Sequence, residues 1–181
     1  MTDIDVESLR AKYRIERDKR LREDGNEQYI WMQQRDDTCG PACVYMIERI
    51  IRQQSVVGGE ARIRQLTEML PDGYSEGDGT RSYRALATVL QNIGIPAHAE
   101  FVGDVGLFAM QASYPYIARV QWVGGGGHYV VCAQELSSNA IACLDPWYGL
   151  VEPSFSGLPI YRVRRNYRAG EGAFHPVNGG M

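Results

Sequence analysis

The stretch Gln33-Gln34-Arg35-Asp36-Asp37-Thr38-Cys39-Gly40-Pro41-Ala42-Cys43 decides the fold. Beyond it, Cys43, Met46, Ile47, Ile50 and Ile51 recur at i, i+3, i+4, i+7 and i+8, which makes one apolar helical face. Pro41 suits the first turn of a helix, because its missing N–H would have no partner there. The spacing therefore predicts a buried helix with Cys39 at or just before its N-terminus. A cysteine is a good nucleophile only as thiolate. A helix N-terminus favours that form by placing positive dipole and free N–H groups near sulfur.

Working outward, two further helices are expected. One spans about Glu60 to Leu70, with Ile63, Leu66 and Leu70 facing in. The other covers Ser82–Ile93 and stops at Gly94. Pro71 to Thr80 reads as an acidic, glycine-rich loop. Strands follow at His98–Val102, Tyr116–Val123, His128–Ala133, Ala140–Leu144 and Ile160–Val163, punctuated by turn residues. Helices first and strands second predict an α+β domain over 28–168, a helical half packed on an antiparallel sheet. Residues 1–27 mix acid and base around a thin apolar stripe (Val6, Leu9, Tyr13, Leu21). They read as a charged surface helix ended by Asp24-Gly25, and as a possible docking element for a protein partner. Residues 169–181 read as a flexible glycine-rich tail. It ends in Asn178-Gly179-Gly180-Met181.

A nucleophilic cysteine needs a base, and the base needs an orienting group. His128 follows Gly124–Gly127 and opens the strand His128-Tyr129-Val130-Val131. Asp145 ends the strand Ile141-Ala142-Cys143-Leu144 and precedes Pro146. Ser137-Ser138-Asn139 lies between the two strands, which read as a hairpin. A hairpin sets the start of its first strand beside the end of its second, so His128 and Asp145 are expected side by side. Trp122 and Trp147 flank this pair in sequence and are expected to wall a cleft or to pack. An oxyanion requires donors. The Cys39 N–H is one, and Gln33 or Gln34 offers a side-chain amide for the other.

These residues resemble the bacteriocin-leader, or double-glycine, peptidases, which are papain-like cysteine peptidases. The likeness rests on Gln33, five intervening residues, Cys39-Gly40-Pro41-Ala42-Cys43, Gly79-Thr80, the glycine run into His128-Tyr129-Val130-Val131, and Asp145-Pro146. It spans roughly Tyr29 to Arg164. The resemblance implies Cys39 as nucleophile, His128 as general base and acid, Asp145 as the group that orients it, and Gln33 rather than Gln34 as oxyanion donor. It also implies a peptide or protein substrate. The charged leader is not part of that family's core. The run from Tyr13 to Arg22, with Asp24-Gly25-Asn26 and Gln28-Tyr29, instead resembles the N-terminal extension of some flavin-dependent Baeyer–Villiger-type monooxygenases. No Gly-x-Gly-x-x-Gly turn follows a strand downstream, so no flavin chemistry comes with it.

Composition narrows the alternatives. The chain has 181 residues, 44% hydrophobic and 23% charged, with a net charge of −3. That is ordinary globular composition without the basic excess of a nucleic-acid surface. No apolar run approaches the roughly 20 residues that span a bilayer, and residues 1–30 lack the core of a secretory signal. The expected compartment is the cytoplasm, or the exterior after export without a cleaved signal. The four cysteines do not form a disulfide framework. Cys43, Cys132 and Cys143 read as core. Cys39, Cys43 and a histidine lack zinc-site spacing, so no metal or other cofactor is expected. His98 and His175 carry no partner signal. The same residues would also serve an acyltransferase using the same acyl-enzyme, or a non-catalytic peptide-binding module.

Overall fold

The computed structural model describes residues 19–23, 26–100, 115–122, 127–137, 140–147, 149–151 and 167–176. The chain starts with strands β1 (Lys19–Glu23) and β2 (Asn26–Ile30). Helices α1 (Cys39–Arg52), α2 (Gly59–Glu68) and α3 (Tyr83–Asn92) come next. The two-residue strands β3 (Tyr74–Ser75) and β4 (Gly79–Thr80) lie between α2 and α3. The later strands are β5 (Ala97–Glu100), β6 (Tyr116–Trp122), β7 (Gly127–Ser137), β8 (Ala140–Asp145), β9 (Gly149–Val151) and β10 (Tyr167–Pro176). They form one antiparallel sheet in the order β5-β10-β6-β7-β8-β9.

Helix α1 is the centre of the molecule. It is buried from Gly40 to Arg49 and packs against α2, α3 and β7. Cys43, Met46 and Ile47 share one core with Ile63 of α2, Leu86 and Leu90 of α3, and Val131 and Leu144 of the sheet. Each fully buried aliphatic side chain contributes about 1.5–3 kcal/mol relative to exposure. That burial fixes α1 to the sheet and hence the height of Cys39 above it. At the far end, Gln53 adopts φ 55° and its N–H donates to Arg49 O at 2.8 Å, closing the helix with a left-handed cap. Ser82 accepts from the Arg84 N–H and starts α3.

Two expectations from the sequence need correction. Lys19–Glu23, expected as the end of a surface helix, is β1 and pairs antiparallel with β2 in the register Lys19↔Ile30 to Glu23↔Asn26. Asp24-Gly25 lies between them, and Asp-Gly beside alternating polar and apolar residues is a hairpin signal as much as a helix stop. Residues 1–18 of that expected helix lie outside the described residues. The second correction concerns the tail. Tyr167–Pro176 is not a flexible tail but β10, seated between β5 and β6. Its glycines misled the reading; a glycine inside a strand often marks an irregularity, and the β10–β6 register shifts between Ala169 and Gly172. Ile160–Val163 and Asn178-Gly179-Gly180-Met181 lie outside the described residues. The expected loop 71–80 contains the small β3–β4 hairpin. No helix among the described residues is long and apolar enough to cross a membrane.

Candidate active site

Cys39 is the first residue of α1. The turn that delivers it is tied by the Thr38 hydroxyl, which accepts from the Arg35 N–H and donates to the Arg35 carbonyl, both at 3.1 Å. Because it is used this way, that hydroxyl caps no N–H of α1, and the first turn carries no acidic residue. The helix therefore meets the cleft with its positive end unneutralised and its early N–H groups uncapped by side chains. Of the four cysteines, Cys39 is partly exposed and the other three are buried. Cys43 is a core residue whose thiol is pushed well up by burial, and further by the nearby Cys39 and Asp145 charges. Cys132 and Cys143 are register partners on β7 and β8 with sulfurs 3.6 Å apart. Burial, then the contact with Cys132, pushes the Cys143 thiol up.

His128 stands at the start of β7, and Asp145 ends β8. The antiparallel pairing of these strands brings the two together as the hairpin reading expects. His128 Nε2 lies 2.9 Å from Asp145 Oδ1, with the side chains 3% and 0% exposed. The same carboxylate oxygen accepts from the Trp147 N–H at 2.7 Å, an Asx turn that fixes the carboxylate before it meets the ring. Asp145 takes Nε2, and Cys39 lies near enough to the imidazole to influence its titration. Burial, the largest single influence, pulls the His128 pKa down. The charge and hydrogen bond of Asp145, with those of Cys39, together outweigh it and raise the value to about 10. The imidazole thus keeps its proton through neutral pH.

Gln33 and Gln34 separate cleanly. Gln33 is 3% exposed, while Gln34 is exposed. The Gln33 N–H donates to the Pro146 carbonyl at 2.9 Å, tying this segment to the residue after Asp145. Its side-chain Nε2 donates to the Arg35 carbonyl at 2.6 Å, which leaves one N–H of that amide; Oε1 is buried with no hydrogen-bond partner. Glu60, from the first turn of α2, braces the same segment. Its carboxylate accepts from the Trp31 indole at 2.8 Å and from the Gln34 N–H at 3.0 and 3.2 Å.

A cavity of about 630 Å³ opens over Cys39 and His128, within the size range of small-ligand sites. One wall comes from Asp36 and Asp37 and from Gly77 to Arg81; the other from Arg119, Gly127, Tyr129 and Trp147. Asp37 anchors the first wall. Its Oδ1 accepts from the Tyr74 hydroxyl at 2.8 Å and its Oδ2 from the Gly77 N–H at 2.7 Å. Gly40 sits directly beneath. A Cβ there would lie 2.7 Å from Thr80 Oγ1, so β4 rests on the first turn of α1. Sequence reading did not single out Glu60, Asp37, Thr80 or Arg119 as site residues. Thr80 entered only as part of the Gly79-Thr80 pair, and the other three have no motif; each is brought in by packing from a different element. Trp147 does line the cavity, whereas the Trp122 side chain lies outside the described ones. The register also sets His98 opposite His175 on β5 and β10, a pairing the sequence did not suggest. Among the described residues no group of three or more His, Cys, Asp or Glu is placed to hold a metal.

The chain matches no protein-family model, and no curated protein matches it. Solved structures do. A double-glycine-motif protease from an AMS/PCAT transporter, solved with its leader peptide, superposes with a TM-score of 0.57 at 18% identity. The match covers 89% of this chain and 94% of that one. The peptidase domain of Streptococcus ComA, a bifunctional ABC transporter of a quorum-sensing pathway, gives a TM-score of 0.60 at 18% identity and covers 83% and 98%. The fold is therefore α+β and papain-like, similar to that of double-glycine peptidase domains.

Proposed function

We propose that this chain is a papain-like cysteine peptidase that hydrolyses peptide amides through Cys39, His128 and Asp145, with Gln33 as an oxyanion donor. One observation carries the proposal. A partly exposed cysteine at the N-terminus of a buried helix shares one cavity with a buried histidine whose Nε2 lies 2.9 Å from a buried aspartate. The likeness in fold to a protease solved with its leader peptide supports a peptide as the substrate.

In this mechanism the Cys39 thiolate attacks the amide carbonyl, forming a C–S bond. The oxyanion is held by the Cys39 N–H and the remaining N–H of Gln33 Nε2. The C–N bond then breaks as His128 gives its proton to the leaving amine. The neutral His128 next takes a proton from water, whose oxygen attacks the thioester, releasing the acid and restoring the thiolate–imidazolium pair. Asp145 holds the ring in the tautomer and orientation both steps use.

Labelling with a cysteine-directed peptidyl epoxide tests the proposal, read as a mass increase at a mapped residue. The expected result is stoichiometric labelling of Cys39 in wild type. Cys39→Ala should not label, and His128→Ala should label at least about a hundredfold more slowly. Labelling of Cys39 no faster than free cysteine near pH 7 would show that the thiol is not activated.

A further inference from the structure

We propose that Cys132 and Cys143 are a disulfide site: when the chain folds in the presence of a low-molecular-weight disulfide, a single bridge forms between them and clamps β7 to β8. This stands apart from the peptidase reading and concerns two cysteines that reading leaves unused.

Strand register sets the pair. Cys132 on β7 and Cys143 on β8 are direct antiparallel partners, as are Val131 and Leu144 beside them. Such partners share one side of a sheet, with Cα atoms about 4.5–5.5 Å apart. That lies inside the range of about 4.4–6.8 Å that a disulfide spans. The two sulfurs are 3.6 Å apart. A bond of about 2.05 Å asks them to close by about 1.5 Å, a change within reach of side-chain rotation. The other two cysteines, Cys39 and Cys43, belong to α1 and not to this ladder.

The clamp would fall at a useful place. Immediately beyond the pair the β7–β8 register shifts, between Cys132 and Gln134 and again between Glu135 and Ser137. The cysteines therefore hold the last regular position before an irregular hairpin end. In the other direction β7 opens with Gly127-His128 and β8 closes at Asp145. A cross-link at the boundary fixes the register that sets His128 against Asp145, which a one-residue slip would undo.

Both sulfurs are 0% exposed in the fold. The exchange therefore belongs to the folding chain, after the hairpin pairs and before the sheet is covered. One cysteine, as thiolate, attacks a sulfur of the small disulfide, whose S–S bond breaks and releases one thiol. The second thiolate attacks the protein sulfur of that mixed disulfide; the Cys132–Cys143 bond forms and the second small thiol leaves. The two cysteines lose two electrons and two protons, and the small disulfide becomes two thiols. In the reduced fold, burial and then Cys132 push the Cys143 thiol up, so little thiolate is present to exchange.

The test refolds the reduced full chain from urea with or without glutathione disulfide. A brief treatment with a mild reductant frees the exposed Cys39, and the chain is then unfolded and alkylated. Glu135 is the one acidic residue between the two cysteines, so cleavage after Glu separates them unless they are bridged. Without glutathione disulfide, all four cysteines should be alkylated. With it, Cys39 and Cys43 alone should be alkylated, and a linked Cys132–Cys143 peptide should appear. The bridged chain should unfold about 5–10 °C above the reduced chain. Cys132→Ala and Cys143→Ala, each compared with itself under the two conditions, should show no such gain, so lost packing does not mimic the effect. The wild-type comparison stands by itself if a variant does not fold. Four alkylated cysteines after oxidative refolding overturn the inference, and so does a bridge through Cys39 or Cys43. A linked peptide without a higher midpoint overturns the clamp.

Discussion

The sulfur of Cys39 and the ring of His128 are held by different means. Cys39 is set by a turn closed over four residues, Arg35 to Thr38, and by a helix buried along ten positions from Gly40 to Arg49. His128 is set by a partner seventeen residues away, through strand register. The first arrangement is local, and its parts are specified by neighbours in sequence. The second exists only once two strands have paired, and a one-residue slip would turn every side chain to the other face. The Gln33 N–H to Pro146 carbonyl bond joins the two regions. The difference predicts that changes on the sheet side act mainly on chemistry and its pH dependence, while changes on the helix side act mainly on packing.

The largest effect is expected from Asp145→Asn. The His128 pKa is raised to about 10, despite burial, by Asp145 and Cys39. A raised value means that the stabilisation from this pair is fully present below about pH 6.5, the unfolded value, and is lost as pH rises toward 10. Without the carboxylate charge, the alkaline limb of kcat/KM should move down by at least about one pH unit, and the rate near pH 7 should fall about a hundredfold or more. Urea unfolding at pH 6 and pH 10 supplies the second readout: the stability gap between wild type and Asp145→Asn should be wider at pH 6. An unmoved alkaline limb would separate His128 from Asp145 functionally, however close they lie.

The same contrast explains what could be read from the sequence. The position of Cys39 at a helix start was legible because Pro41 and the spacing from Cys43 to Ile51 are local rules. The His128–Asp145 pairing was legible because a hairpin with a short connection fixes which ends meet. Gln33 against Gln34 was not decided by pattern, since both carry the same amide; burial separates them. The strand Tyr167–Pro176 was missed because its glycines mimic a loose tail and its partners, β5 and β6, are far away in sequence. The end of the leader was misread because Asp-Gly stops a helix and turns a hairpin alike. The cavity walls were invisible for a related reason. Asp37, Thr80 and Arg119 lie on three separate elements, and no spacing rule links them.

On the helix side, Gly40→Ala tests how closely β4 rests on α1. The added Cβ would meet Thr80 Oγ1 at 2.7 Å and Leu86 Cδ2 at 3.2 Å. The expected cost is about 1–3 kcal/mol in thermal or urea unfolding. Thr80→Ala removes the atom in the way, so the double variant should recover about 1 kcal/mol relative to the sum of the singles. Additive losses would mean that Gly40 is required for something other than clearance beneath β4.

The smallest effect, and the sharpest on the junction between the regions, is expected from Glu60→Gln. Both carboxylate oxygens of Glu60 accept hydrogen bonds, from the Trp31 indole and the Gln34 N–H, and the residue is 1% exposed. An amide keeps one acceptor and turns a donor toward groups that are themselves donors. The expected cost is about 1 kcal/mol, at the low end for a disrupted buried hydrogen bond. If Glu60 serves only the core, the rate of Cys39 labelling per folded molecule should not change. If it holds the segment from which Gln33 projects, that rate should fall about two- to fivefold with the pH profile unmoved, because the proposed oxyanion donor shifts while the ring and its carboxylate stay in place.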